Sequence, residues 1–152
     1  MFLFIVFFDE MKNLKPVKLK DYSWKKIDVF LKVESYERNG QIAIMLYEKK
    51  TLEYYSDLSV FITPFEYQNF MAVDTNNLPH AEELIQEYNL WEKIDDIQSW
   101  FCTYPIYVMR LDELRKYDPE WVEKLEKTEF SRDGKPAGYE WTTIWDIMSG
   151  NF

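Results

Sequence analysis

A single cysteine and a single histidine among 152 residues remove most of the chemistry open to a small protein. One Cys cannot close an internal disulfide, so nothing requires an oxidising compartment. One Cys and one His also fall short of the ligand set of a structural zinc site. Nucleophilic catalysis would rest on Cys102 with His80 as its imidazole. Cys102 lies in Trp100-Phe-Cys-Thr-Tyr104, an aromatic setting that disfavours the thiolate. His80 is expected in an exposed first helical turn, so a Cys–His pair forms only if the fold joins them. Four glycines leave no Gly-rich phosphate loop, and no Gly-x-Ser-x-Gly motif is present. Carboxylates alone would suit Mg²⁺ or Ca²⁺, but Asp74, Asp95 and Asp96 lack the spacing of a calcium loop. Any two acids can converge for hydrolysis, yet no accompanying pattern supports it. No metal site and no cofactor is expected.

Long hydrophobic runs are scarce as well. Met1 to Phe8 is apolar but too short to span a bilayer, and it lacks the charged start and cleavage site of a signal peptide. It reads as a first buried strand or as an extension upstream of a start at Met11, with the packed strand favoured. The expectation is a cytoplasmic protein with no membrane partner. Few glycines and six prolines argue against low complexity or a long linker.

Aromatics and acids are abundant instead. Phe, Trp and Tyr make up 18% of the chain, and apolar residues 47%. Large aromatics bury much area each, or mark a contact surface where they stay outside. At this length one domain over residues 1–152 is expected. Charge is uneven: residues 74–126 hold thirteen acids against five bases, which is −8 of the net −9. Residues 1–73 are balanced. The excess of acid argues against general nucleic-acid binding. Residues 12–25 form a Lys-rich lead-in, with Lys12, Lys15, Lys18, Lys20, Lys25 and Lys26 facing only Asp21. It touches phosphates locally at most; a solvated strand edge or an unstructured arm is the simpler reading.

Alternation over 26–34 puts Ile27, Val29, Leu31 and Val33 on one face and Asp28, Lys32 and Glu34 on the solvent face. Arg38-Asn39-Gly40 supplies a turn, and Ile42, Ile44 and Leu46 resume the pattern as a hairpin. A third strand runs over 57–63, closed by Pro64. Pro79, Glu82 and Glu83 open a helix over 79–89 with Leu84, Ile85 and Tyr88 inward. Residues 91–101 are ambiguous, and 105–111 read as a strand. Asp112 caps a short helix to Tyr117, and Asp118-Pro119 starts another. Residues 131–138 form a loop, followed by a helix over 139–148. The sum is α+β: one antiparallel meander of about four to five strands, with two to four short helices packed on one face.

The segments Phe70-Met-Ala-Val-Asp-Thr-Asn-Asn77, Ala81-Glu-Glu-Leu84, Trp100-Phe-Cys-Thr-Tyr-Pro105 and Leu111-Asp-Glu-Leu114 resemble a bacterial family of uncharacterised small proteins. That family accompanies phages and conjugative elements, and related domains occur inside large polyvalent proteins of such elements. The resemblance covers about residues 27–120, carried mostly by Asp-Thr-Asn-Asn and Phe-Cys-Thr-Tyr-Pro. It brings no catalytic residues; it implies a mobile-element cargo protein that counters host defence.

Together these features favour binding over catalysis: an acidic face engaging a basic surface on a host protein, as an antirestriction or anti-CRISPR inhibitor would. Host nucleases carry basic channels for which a carboxylate array competes with phosphate. The candidate residues are Glu82, Glu83, Glu87, Glu92, Asp95 and Asp96, opposed in sequence only by Lys93, beside the loop Asp74, Thr75, Asn76 and Asn77. That loop has a plainer role in turning the chain and capping the next helix. The alternatives are a structural module that forms a homo-oligomer through its surplus aromatics or its N-terminal strand, and a small hydrolase using Cys102 and His80.

Overall fold

A computed structural model describes residues 14–35, 41–63, 65, 69–120 and 122–123. The strand expected over 1–8, the turn at 38–40, the loop at 131–138 and the helix over 139–148 lie outside these residues. The first sheet is an antiparallel meander of β1 (Pro16–Lys20), β2 (Lys26–Ser35), β3 (Ile42–Glu48) and β4 (Tyr54–Asp57), in that order. The second contains β5 (Ser59–Val60), β6 (Phe70–Val73), β7 (Trp91–Ser99) and β8 (Cys102–Met109), in the order β5-β6-β8-β7. Helix α1 (Ala81–Glu87) connects β6 to β7, and α2 (Leu111–Leu114) follows β8.

The α+β class holds, but a single meander does not. The strand expected over 57–63 breaks at Leu58, which is fully buried and belongs to both layers. Its N–H donates to the Ile44 carbonyl at 2.8 Å, and its own carbonyl accepts from the Asp74 N–H at 2.9 Å. Ser59 keeps the corner tied, its Oγ accepting from the Ile44 N–H at 3.0 Å. The bend carries the chain from the first sheet into the second, and buried residues of both sheets join one apolar cluster. The helical layer is also thinner than expected. Among the described residues α1 is the longest helix, seven residues rather than eleven, and α2 is one turn.

The core lies between the sheets. Val29, Leu31 and Val33 of β2 and Ile44 and Leu46 of β3 meet Met71, Tyr107 and Met109 across the gap, with Ala81, Leu84 and Ile85 of α1 beside them. Each such aliphatic side chain contributes about 1.5–3 kcal/mol by leaving water. The outer face of β2 departs from the alternation pattern, because Lys32 is 3% exposed rather than solvated. β1 begins opposite Phe30, and among the described residues no strand pairs with β2 beyond that point on this edge. There the Asp118 carboxylate accepts the Val33 N–H at 2.9 Å and meets the Lys32 ammonium at 3.6 Å. A side chain thus takes the Val33 N–H where no described strand does, and the buried ammonium has its counter-charge. Asp112 is not the cap of α2; Arg110 occupies that position and Asp112 is an exposed first-turn acid. No helix among the described residues is long and apolar enough to cross a membrane.

Candidate functional site

The ambiguous stretch at 91–101 is β7, and it forms a long hairpin with β8. Ser99 pairs with Cys102, leaving Trp100 and Phe101 as a two-residue turn. Two-residue turns demand positive φ and normally carry Asn or Gly. Trp100 instead holds φ at 57°. Its indole is 89% exposed and the Phe101 ring 98% exposed, so neither is there to fill the core. A left-handed bulky residue costs about 1–2 kcal/mol. The turn therefore carries strain that no burial of these rings offsets.

The acids gathered by sequence proximity are separated by the pleat. Register places Glu92 opposite Val108 and Asp95 opposite Ile106, both on the sheet face away from Tyr107. Lys93 lies opposite Tyr107, and a bulge between Lys93 and Asp95 resets the alternation so that Asp96 follows on the Lys93 side. Most of these carboxylates have partners, several from far along the chain. Glu82 accepts from the Tyr107 hydroxyl at 2.7 Å. That bond, after burial as the larger cause, pushes the phenol well above its ordinary range. Glu83 meets Lys20 at 2.9 Å and His80 Nδ1 at 3.2 Å, contacts that hold its carboxyl below the usual value. Glu92 pairs with Arg110 at 2.8 Å and Asp96 with Lys93 at 3.0 Å. Asp95 accepts the Asp96 N–H at 2.8 Å and, with Asp96, stays exposed toward the hairpin tip. Glu87 is exposed on α1 with no hydrogen bond or ion pair among the described residues. Sequence proximity offered only Lys93 as an opposing charge; Lys20 and Arg110 come from folding.

Asp74 is buried, and its work is local. Its Oδ1 accepts the Asn77 N–H at 3.2 Å, its Oδ2 accepts the Asn77 side-chain amide at 2.8 Å, and its carbonyl accepts the Leu78 N–H at 2.9 Å. Thr75, Asn76 and Asn77 form the turn, with the two asparagines exposed. The Tyr22 hydroxyl donates to the Asn77 carbonyl at 2.6 Å and ties the turn to the β1–β2 loop. Asp74 thus shapes a turn, leaving the two asparagines as its outward groups.

His80 is 8% exposed, not a surface residue. It precedes α1, with the Trp24 ring edge-on at 4.3 Å and Glu83 at its Nδ1. Cys102 is half-buried at the base of the hairpin tip. No hydrogen bond joins Cys102 to His80 among the described residues. No group of three or more His, Cys, Asp or Glu side chains there is arranged to hold a metal.

What this arrangement offers is a stiff ribbon with two bare aromatic rings at its end and exposed acids along its flank. The aromatic tip was missed from sequence because exposure has no local signature; an aromatic pair where a turn residue belongs was the available signal. No curated protein and no solved structure matches the chain. The family model described as "Domain of unknown function (DUF4313)" matches residues 30–129, from β2 through the hairpin and beyond α2, and the chain belongs to that family.

Proposed function

We propose that this chain is a non-enzymatic binding protein of a mobile genetic element whose β7–β8 hairpin engages a basic surface on a host protein, as a host-defence inhibitor of antirestriction or anti-CRISPR type. The observation that carries the reading is the Trp100–Phe101 tip: two large rings almost wholly in water, on a backbone that resists them. Strain held at an exposed site is more economically explained by contact than by folding. Tryptophan is enriched among the residues that anchor interfaces. The partner surface that fits is an apolar cleft with a basic rim, since Asp95 and Asp96 lie exposed on the strand that leads to the tip and steer it by charge.

The test places a photo-crosslinking residue at position 101 in host cells, identifies what is trapped, and measures its affinity for purified wild-type and variant proteins. Trp100→Ala/Phe101→Ala should weaken that affinity by at least about 30-fold, the roughly 2 kcal/mol of an interface anchor. Asp95→Lys/Asp96→Lys should slow association and reverse its salt dependence. A partner held equally by wild type and the tip variant, or one whose contact surface is acidic, would refute the proposal.

A further inference from the structure

The opposite charge is concentrated at one end of the first sheet. Lys25 and Lys26 leave the β1–β2 loop, and Lys49 and Lys50 open the β3–β4 connection. Folding joins the two segments, with the Lys49 N–H donating to the Asp28 carbonyl at 3.0 Å. None of these four lysines makes an ion pair among the described residues, whereas Lys18, Lys20, Lys32, Lys93 and Lys116 all do. Lys20 and Lys26 lie directly opposite each other across β1 and β2. Lys20 is answered within the fold by Glu83 at 2.9 Å, which leaves Lys26 as the member of the pair with no ion pair among the described residues. Lys25, Lys49 and Lys50 line an open groove of about 520 Å³ with Ile27, Asp28 and Glu48. Asp28 is already held by Lys18 at 3.1 Å, leaving Glu48 as the opposing carboxylate of the groove.

Two aromatic rings belong to the β1–β2 loop that delivers Lys25 to this groove, and both are held in place. Asp21 organises their loop, its Oδ1 accepting from the Ser23 N–H, the Ser23 hydroxyl and the Lys25 N–H at 2.7–3.0 Å. Tyr22 is 68% exposed and anchored through its hydroxyl on Asn77. Trp24 is 66% exposed, at φ 65°, positioned by His80 and with the Lys20 ammonium 5.4 Å from its ring centroid. Lysines along a groove give attraction to phosphates, and fixed aromatic rings give a surface on which bases stack without regard to sequence. A purely acidic peptide would use the lysines and leave the rings idle.

We propose that the face formed by Tyr22, Trp24, Lys25, Lys26, Lys49 and Lys50 binds single-stranded nucleic acid, its phosphates on the lysines and a base on the Trp24 ring. The net charge of −9 does not oppose this: Glu83, the α1 acid that reaches Lys20 and His80 beside Trp24, is neutralised by Lys20 at 2.9 Å, and screening confines each remaining acidic patch to about 10 Å at ordinary salt. The residues of this surface are distinct from those of the aromatic hairpin tip.

Fluorescence anisotropy of the full chain with a labelled single-stranded oligothymidylate tests it. Binding is expected in the micromolar range, about 1–100 µM, with log K falling against log salt at a slope of up to about −3 for four lysines. Lys49→Glu/Lys50→Glu should abolish it. Trp24→Leu should lower affinity about tenfold while Trp24→Phe retains most of it, each variant checked by circular dichroism for an unchanged fold. Trp100→Ala/Phe101→Ala should bind the oligonucleotide as wild type does, which keeps this outcome separate from that of the hairpin. Absence of binding at about 100 µM protein in low salt overturns the proposal. So does equal competition by oligoglutamate of matching charge, which would make the face a site for acidic peptides.

Discussion

Replacing Trp100 by Asn should make the protein more stable while removing its contact with a partner. At φ 57° the tryptophan backbone carries a left-handed conformation that costs a bulky residue about 1–2 kcal/mol, and Asn tolerates it at much lower cost. Little opposes that gain. With 89% of the indole in water, removing it forfeits about a tenth of the area that a buried tryptophan would contribute. The net expectation is a stabilisation of about 1 kcal/mol, which for a chain of this length raises Tm by about 2–4 °C. Thermal and urea unfolding of purified wild type and Trp100→Asn measure it, with the m-value unchanged because exposed area hardly differs. A loss of about 1 kcal/mol or more would refute the reasoning: it would mean that the indole packs on the fold and that the tip is structural. Gain in stability with loss of binding is the signature expected where strain is kept for function.

Other perturbations test the frame that holds the hairpin. Asp118→Ala removes the carboxylate that meets the buried Lys32 ammonium and the Val33 N–H, and should cost about 3–5 kcal/mol in urea unfolding. Lys32→Met added to Asp118→Ala should recover part of that loss, so strict additivity of the two changes would contradict the pairing. Leu31→Ala, at a fully buried core position, should cost about 2–5 kcal/mol, and a value under 1 kcal/mol would mean that the two inner faces do not pack as described. Burial raises the Glu34 carboxyl above its ordinary value of 4.5, with Asp118 and Asp57 adding to the rise against the opposing pull of Lys32. Its protonated form is thus favoured in the fold: the contribution is present below 4.5 and is lost as pH rises through the raised value. Glu34→Gln should therefore stabilise at pH 7 and lose that advantage below the ordinary carboxylate range; destabilisation at pH 7 would reverse the sign.

The local chemistry of several elements was legible before folding. Alternation marked β2 and β3, and Leu84 and Ile85 marked the inward face of α1, because side-chain direction repeats every two or 3.6 residues along one chain segment. Asp74 was readable as a turn residue for the same reason: its bonds reach three or four residues ahead. β7 was not readable, since its bulge at Lys93–Asp95 breaks the period on which the reading depends. β6, four residues long with three of them buried, is too short to show one.

Sequence by itself determined the composition that limits the chemistry, the α+β class, the strands with clean alternation and the acidity of the second half. Tertiary structure alone decided that the chain turns at Leu58 into a second sheet, because a strand's pattern shows which face is buried and not which partner buries it. It also decided that Lys20 neutralises Glu83 and Arg110 neutralises Glu92, 18 residues away, while Asp95, Asp96 and Glu87 stay exposed. The exposure of Trp100 and Phe101, and the gathering of Lys25, Lys26, Lys49 and Lys50, belong to the same class of fact. Exposure and charge balance are sums over neighbours in space, and those neighbours are set by strand pairing across the whole chain.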